Sequence, residues 1–167
     1  MKTSDLNKLL DPTLYQVFLL KSAVPVPLNF AMHGWFVINL KGDVHRWEFG
    51  KWGKMGVNRY IDVVHNYMPA TVGMNKYGWM LEPRTPSKLL HYIEGKEDSL
   101  AHNMACFINE HSNDYPLKNV YRYTGPNSNT YLQWVINHFP EAGFKLPCNA
   151  FGKNYNIRKK VSLSPDT

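Results

Sequence analysis

Six residues, Gly125-Pro126-Asn127-Ser128-Asn129-Thr130, stand between the β-rich stretch NVYRYT and an apolar-periodic stretch that includes Leu132, Val135 and Ile136. Gly125 lets the chain turn sharply, and Pro126 fixes one dihedral just ahead of a helix. The next four side chains are all polar and face the orphan N–H groups of a first helical turn. The plain reading is N-capping, worth about 1 kcal/mol. One or two such residues suffice for a cap, which leaves room for chemistry. A helix start stabilises developing negative charge through its dipole and free N–H groups. Ser128 is therefore the nucleophile candidate. A serine hydroxyl needs a base to take its proton, and histidine is the usual one.

The chain holds seven histidines. His33 and His45 are the candidates for the base, because each lies among aromatics in strand-like sequence. Gly34, beside His33, leaves space for a ligand or a second backbone. His65, His91, His102, His111 and His138 lack such a context, and His102 and His111 read as surface residues of a helix. A zinc site from His33, His45 and His65 is conceivable but no ligand spacing supports it, so neither a metal nor another cofactor is expected. Cys106 falls on an apolar helix stripe and reads as a core thiol. Cys148 reads as a loop thiol with no local feature to activate it.

The elements that must position these residues follow from periodicity. Residues 1–12 read as a short helix or loose arm that stops at Asp11-Pro12. Leu14–Leu20 reads as a strand. Phe30–Leu40 and Val44–Phe49 read as a hairpin around Lys41-Gly42-Asp43. Alternation puts His33, Trp35, Val37 and Asn39 on one face, and points His45, Trp47 and Phe49 inward. Val57–Tyr67 has strand character, and 68–82 is ambiguous. Ser87 reads as the cap of a helix over Lys88–Glu94 that ends at Gly95. Residues 97–111 read as a second helix, Asn119–Thr124 as a strand, and a third helix runs from the GPNSNT stretch to Pro140. This order predicts an α+β fold, an antiparallel sheet with helices packed on one side. The organisation expected is 1–29 as an N-terminal arm and first strand, 30–155 as a single domain, and 156–167 as a basic polar tail.

The chain of 167 residues is 44% hydrophobic and 19% charged. That composition is globular and excludes a disordered chain. Two cysteines exclude a disulfide-dense scaffold. No apolar run reaches the ~18 residues of a membrane helix, and residues 1–12 lack the apolar core of a secretory signal. A cytoplasmic location is the expectation. The net charge of +6 favours an anionic partner, and Arg158-Lys159-Lys160 is its one dense cluster.

The stretches YRYTGPNSNTYLQWVINHFPE and LPCNAFGKNY, with the HGWFVI strand, resemble an uncharacterised bacterial domain family over about residues 30–155. That family in turn is distantly similar to the circularly permuted papain-like proteins, which include NlpC-type peptidases and lecithin–retinol acyltransferase. The resemblance implies a strand histidine, then a second polar residue on the next strand, then a nucleophile at a helix start. His33, His45 and Ser128 occur in that order, with Ser128 standing where the class carries Cys. It implies a hydrolase or acyl transferase acting on an amide or ester of a small-molecule, peptide or lipid substrate. On that expectation Ser128 attacks, His33 is the base and His45 orients it, with backbone N–H groups of the helix start and Asn127 or Asn129 as the oxyanion hole. Two other readings remain open. One is a catalytically inactive ligand-binding module in which Gly125, Asn127, Asn129, Lys153 and Tyr155 shape the pocket. The other is a binder of an anionic polymer or surface through the basic C-terminal segment.

Overall fold

The computed structural model describes residues 2–53, 59–77 and 83–156. Five strands form one antiparallel sheet: β1 (Tyr15–Ala23), β2 (Met32–Leu40), β3 (Asp43–Trp52), β4 (Tyr60–His65) and β5 (Lys88–Gly95). Their order across the sheet is β4-β3-β2-β1-β5. The first strand is thus an interior strand of the sheet that carries His33. The expected hairpin is β2–β3. Lys41 (φ 52°) and Gly42 (φ 100°) take the left-handed backbone that a tight hairpin turn requires.

Strand alternation gives the sheet two unlike faces. On the first face Val17, Leu19, Phe36, Ile38, Trp47, Phe49 and Val63 meet α2 (Leu100–His111) and α3 (Ser128–His138). Leu132, Val135, Met104 and Ile108 are the buried helical side of this core. Each such side chain contributes about 1.5–3 kcal/mol through its removal from water. On the second face Phe18, Leu20, Trp35 and Val37 are covered by Leu6 of the short helix α1 (Thr3–Asn7) and by Ala70. The expected α+β layer order holds, with both long helices on one side of the sheet.

Two expected elements differ. Lys88–Gly95 is β5, not a helix. A lone segment of that length nucleates a helix poorly, and its Leu89-Leu90-His91-Tyr92-Ile93 run gains a ladder against β1 instead. Asn119–Thr124 is not a strand. No sheet edge reaches it, and its backbone closes into turns through Val120 N–H to Leu117 O and Arg122 N–H to Pro126 O, at 3.1 and 2.7 Å.

Candidate functional site

Local chemistry explains the start of α3. Asn127 is the N-cap, and its side-chain oxygen accepts from the N–H groups of Asn129 and Thr130. Thr130 Oγ1 accepts in return from Asn127 N–H at 3.1 Å. The same side chains also reach outward. Asn127 Nδ2 donates to Tyr123 O and Phe151 O, Asn129 Nδ2 donates to Met32 O and Phe151 O, and Thr130 Oγ1 donates to Gly152 O. Three of the four polar residues, Asn127, Asn129 and Thr130, thus form a clasp that ties the 150–155 segment and the head of β2 to one helix end. Gly152 takes φ +88°, and a Cβ there would lie 2.6 Å from the Asn127 amide. Gly125 takes φ +107°, and a Cβ on it would lie 3.0 Å from Tyr155 Cβ. Both glycines are what allow the chains to approach.

Ser128 is buried in this clasp. Its hydroxyl and backbone N–H face the Tyr121 phenol oxygen, and burial pushes that phenol's pKa up. His33 lies elsewhere. Met32 and Gly34 point toward α3, and a Cβ on Gly34 would meet Leu132 Cδ1 at 2.5 Å. Alternation then sends His33 to the opposite face, beside Trp35. The space at Gly34 is filled by Leu132. The sheet backbone separates Ser128 from His33, so the expected nucleophile–base pair does not form. His45 does not orient His33 either. It pairs with Ile38, five residues along β2, or roughly 16 Å at ~3.3 Å per residue. Its own partners are Asp43 and His65, at 2.9 and 2.8 Å.

What holds His33 is Glu48. Nε2 of His33 lies 3.0 Å from Glu48 Oε2, and both residues are nearly fully buried, at 3% and 1% exposure. Arg46 holds the same carboxylate through a hydrogen bond from Nη2 to Oε2 at 2.9 Å, with Nε in ion-pair contact with Oε1 at 2.8 Å. Burial alone would raise the Glu48 pKa. The His33 hydrogen bond and the Arg46 charge outweigh it and hold the carboxyl below its ordinary value. Burial lowers the Arg46 pKa and Glu48 opposes that, and a guanidinium stays protonated throughout. Nη1 of Arg46 donates to Pro69 O and Val72 O, and Trp35 Nε1 donates to Ala70 O. The next carbonyl, Thr71 O, accepts from Ser87 Oγ. Three carbonyls of segment 69–72 are therefore pinned to the second face of the sheet, and the fourth, Thr71 O, is held by Ser87 just ahead of β5.

Sequence patterning did not reveal the partner of His33 across the β1–β2 ladder, which is Ser22. Ser22 is buried, and its Oγ accepts from Met74 N–H at 3.1 Å. Directly opposed residues in an antiparallel pair share a face with Cβ atoms about 4.5–5.5 Å apart. Ser22, His33 and Glu48 thus stand on three neighbouring strands of one face. Only the register, which is a long-range property, brings Ser22 to His33. Glu48 stood on the same expected strand as His45, one alternation away.

A groove of about 430 Å³ lies against the clasp, lined by Thr124, Cys148, Phe151, Lys153, Asn154 and Tyr155 among others. Lys153 and Tyr155, expected to shape a pocket, do line it. Lys153 Nζ donates to Leu146 O and Pro147 O, at 2.8 and 3.0 Å, which anchors its charge at the wall. Phe30 meets Phe151 edge to face at 5.9 Å and extends the apolar rim. Phe30 and Tyr123 are exposed aromatics. Cys148 is exposed, as a loop thiol should be, and Cys106 is half-buried. Asn129 Oδ1 is buried with no donor among the described residues.

The matched family model spans residues 15–155, from β1 to the far wall of the groove. The chain belongs to the DUF3750 family, whose members are described as proteins of unknown function. No curated protein and no solved structure matches it. The family match covers the clasp, the second-face network and the groove of this DUF3750 domain. The basic cluster Arg158-Lys159-Lys160 lies outside the described residues. Among the described residues no helix is long and apolar enough to cross a membrane, and no group of three or more His, Cys, Asp or Glu is placed to hold a metal.

Proposed function

We propose that this DUF3750 domain is a ligand-binding module, and that the groove beside the α3 clasp takes a small molecule with an aromatic body and a carboxylate. The observation that carries this reading is the shared backbone of clasp and groove. Phe151 O and Gly152 O are held by Asn127, Asn129 and Thr130, and the same segment forms the groove wall. A preformed concavity of this size, with ring faces beside polar side chains, suits a small ligand. Phe151 and Tyr155 offer ring faces, and the Lys153 ammonium retains a third N–H beyond its two carbonyl bonds. A carboxylate placed there replaces solvent with a charge-assisted hydrogen bond. Titration with phenylacetate, followed in the amide correlation spectrum, tests the reading. Saturable shifts at Phe151–Tyr155 that vanish in Lys153→Ala support it. A titration that moves no groove amide contradicts it.

The Ser22–His33 register favours a second reading within the expected hydrolase or acyl-transferase class, with Ser22 in place of Ser128. Glu48 accepts the Nε2 proton of His33, which leaves Nδ1 with the free lone pair, and Ser22 is the residue paired with His33 on the neighbouring strand. Ser22 Oγ would attack an acyl carbonyl as Nδ1 takes its proton, the carbonyl π pair would move to oxygen, and collapse would expel the amine or alcohol, which takes the proton back from Nδ1 and leaves an acyl-serine for water or an acceptor to release. Segment 69–76 covers these residues, so substrate entry needs that segment to lift. Labelling by a fluorophosphonate probe that is lost in Ser22→Ala and retained in Ser128→Ala supports this reading. Labelling with the opposite dependence, or none, removes it.

A further inference from the structure

His45 on β3 and His65 on β4 stand near the end of the sheet away from the groove and take no part in either site above. Their rings approach at 4.9 Å between centroids, and His45 Nδ1 lies 2.8 Å from His65 Nε2. The other nitrogen of His45, Nε2, lies 2.9 Å from an Asp43 carboxylate oxygen. That contact fixes the tautomer: Nε2 carries the proton that Asp43 accepts, and Nδ1 presents its lone pair. His65 therefore supplies the proton in the His–His contact. The His65 ring is held flat against Trp47, with centroids 4.5 Å apart and an interplanar angle of 19°. Two imidazole nitrogens thus converge at the protein surface, one oriented by a carboxylate and the other by a stacked ring.

We propose that His45 Nδ1 and His65 Nε2 bind a divalent transition-metal ion of the Zn²⁺ class, which bridges β3 to the edge strand β4. Imidazole nitrogen suits this class. A tetrahedral ion with ~2.0–2.1 Å bonds needs its two nitrogens about 3.3 Å apart, so the pair must open by about 0.5 Å and each ring must turn so that its lone pair aims at the ion rather than at the other nitrogen. The proton balance is neutral. His65 moves its proton from Nε2 to Nδ1 through solvent, His45 keeps its Nε2 proton on Asp43, and the ion takes the two lone pairs. Asp43–His45–metal is the carboxylate–histidine–metal arrangement that raises ligand basicity. Because no third His, Cys, Asp or Glu is placed to join among the described residues, water completes the coordination and the ion keeps open positions.

The test uses tag-free protein and the metal alone. Calorimetric titration with ZnCl₂ should give one saturable event per chain, lost in His65→Gln and in His45→Gln and about tenfold weaker in Asp43→Asn. Trace Cu²⁺ added to the wild-type protein should broaden the ring protons of His45 and His65 first, a readout that needs no variant to fold. Binding that persists unchanged in both glutamine variants, or broadening that begins at other histidines or at Cys148, overturns the proposal. So does an absence of saturable Zn²⁺ binding to the wild-type chain.

Discussion

Ser128 and Glu48 show how side-chain environment overrides side-chain type. A serine at a helix start carries the chemistry of a nucleophile only where a base faces it, and Ser128 faces Tyr121 instead. Ser128→Ala should therefore cost about 1 kcal/mol of unfolding free energy, the worth of one buried hydrogen bond, in urea denaturation. Glu48 is the anion that makes the burial of Arg46 tolerable. Glu48→Gln leaves a buried guanidinium without its charge partner and should cost about 3–5 kcal/mol. The carboxyl also sets an acid limit. Its folded pKa lies below the unfolded value of 4.5, so the folded state binds its proton less readily. That stability is present in full above the unfolded value and is lost as pH falls through the folded one. Thermal melts taken from pH 7 down to pH 3 should show this loss in the wild-type protein, and Glu48→Gln should remove that part of the slope.

Among the elements, the contact between α3 and β2 depends on the absence of a side chain at Gly34. Gly34→Ala drives a methyl group into Leu132 and should destabilise by about 1–3 kcal/mol, measured by the same denaturation. Gly152→Ala acts on the clasp twice, through its positive φ and through collision with Asn127. It should free the 150–155 segment and raise amide exchange from Phe151 to Tyr155 while α2 exchange stays unchanged. These elements also mark what the sequence made legible. The β2–β3 hairpin, α2 and α3 carry strong local patterns and appear where periodicity puts them. Helix-start chemistry located the clasp, since cap residues announce themselves within a few positions. β5 has the sequence look of a helix because Ser87 and Gly95 mimic helix boundaries, whereas the decisive factor is the free edge of β1, which lies about 70 residues away in the chain. The face of His33 was legible from alternation. The face of α3 was not, and only the helix packing on Gly34 puts Ser128 on the other side.

At the scale of the whole molecule, one sheet serves two separate polar assemblies. The second face buries His33, Glu48 and Arg46 and uses them to hold segment 69–72. The clasp on the helical face holds the 150–155 segment and so builds the groove. Under the proposed function, the second-face network is structural and the groove is the recognition surface. The most direct measurement is the phenylacetate titration followed at every assigned amide. Saturable shifts centred on Phe151–Tyr155 and on Thr124–Asn127, absent in Gly152→Ala, are the expected result. Saturable shifts centred on Ser22, His33 and segment 69–76, with the groove amides still, would contradict it.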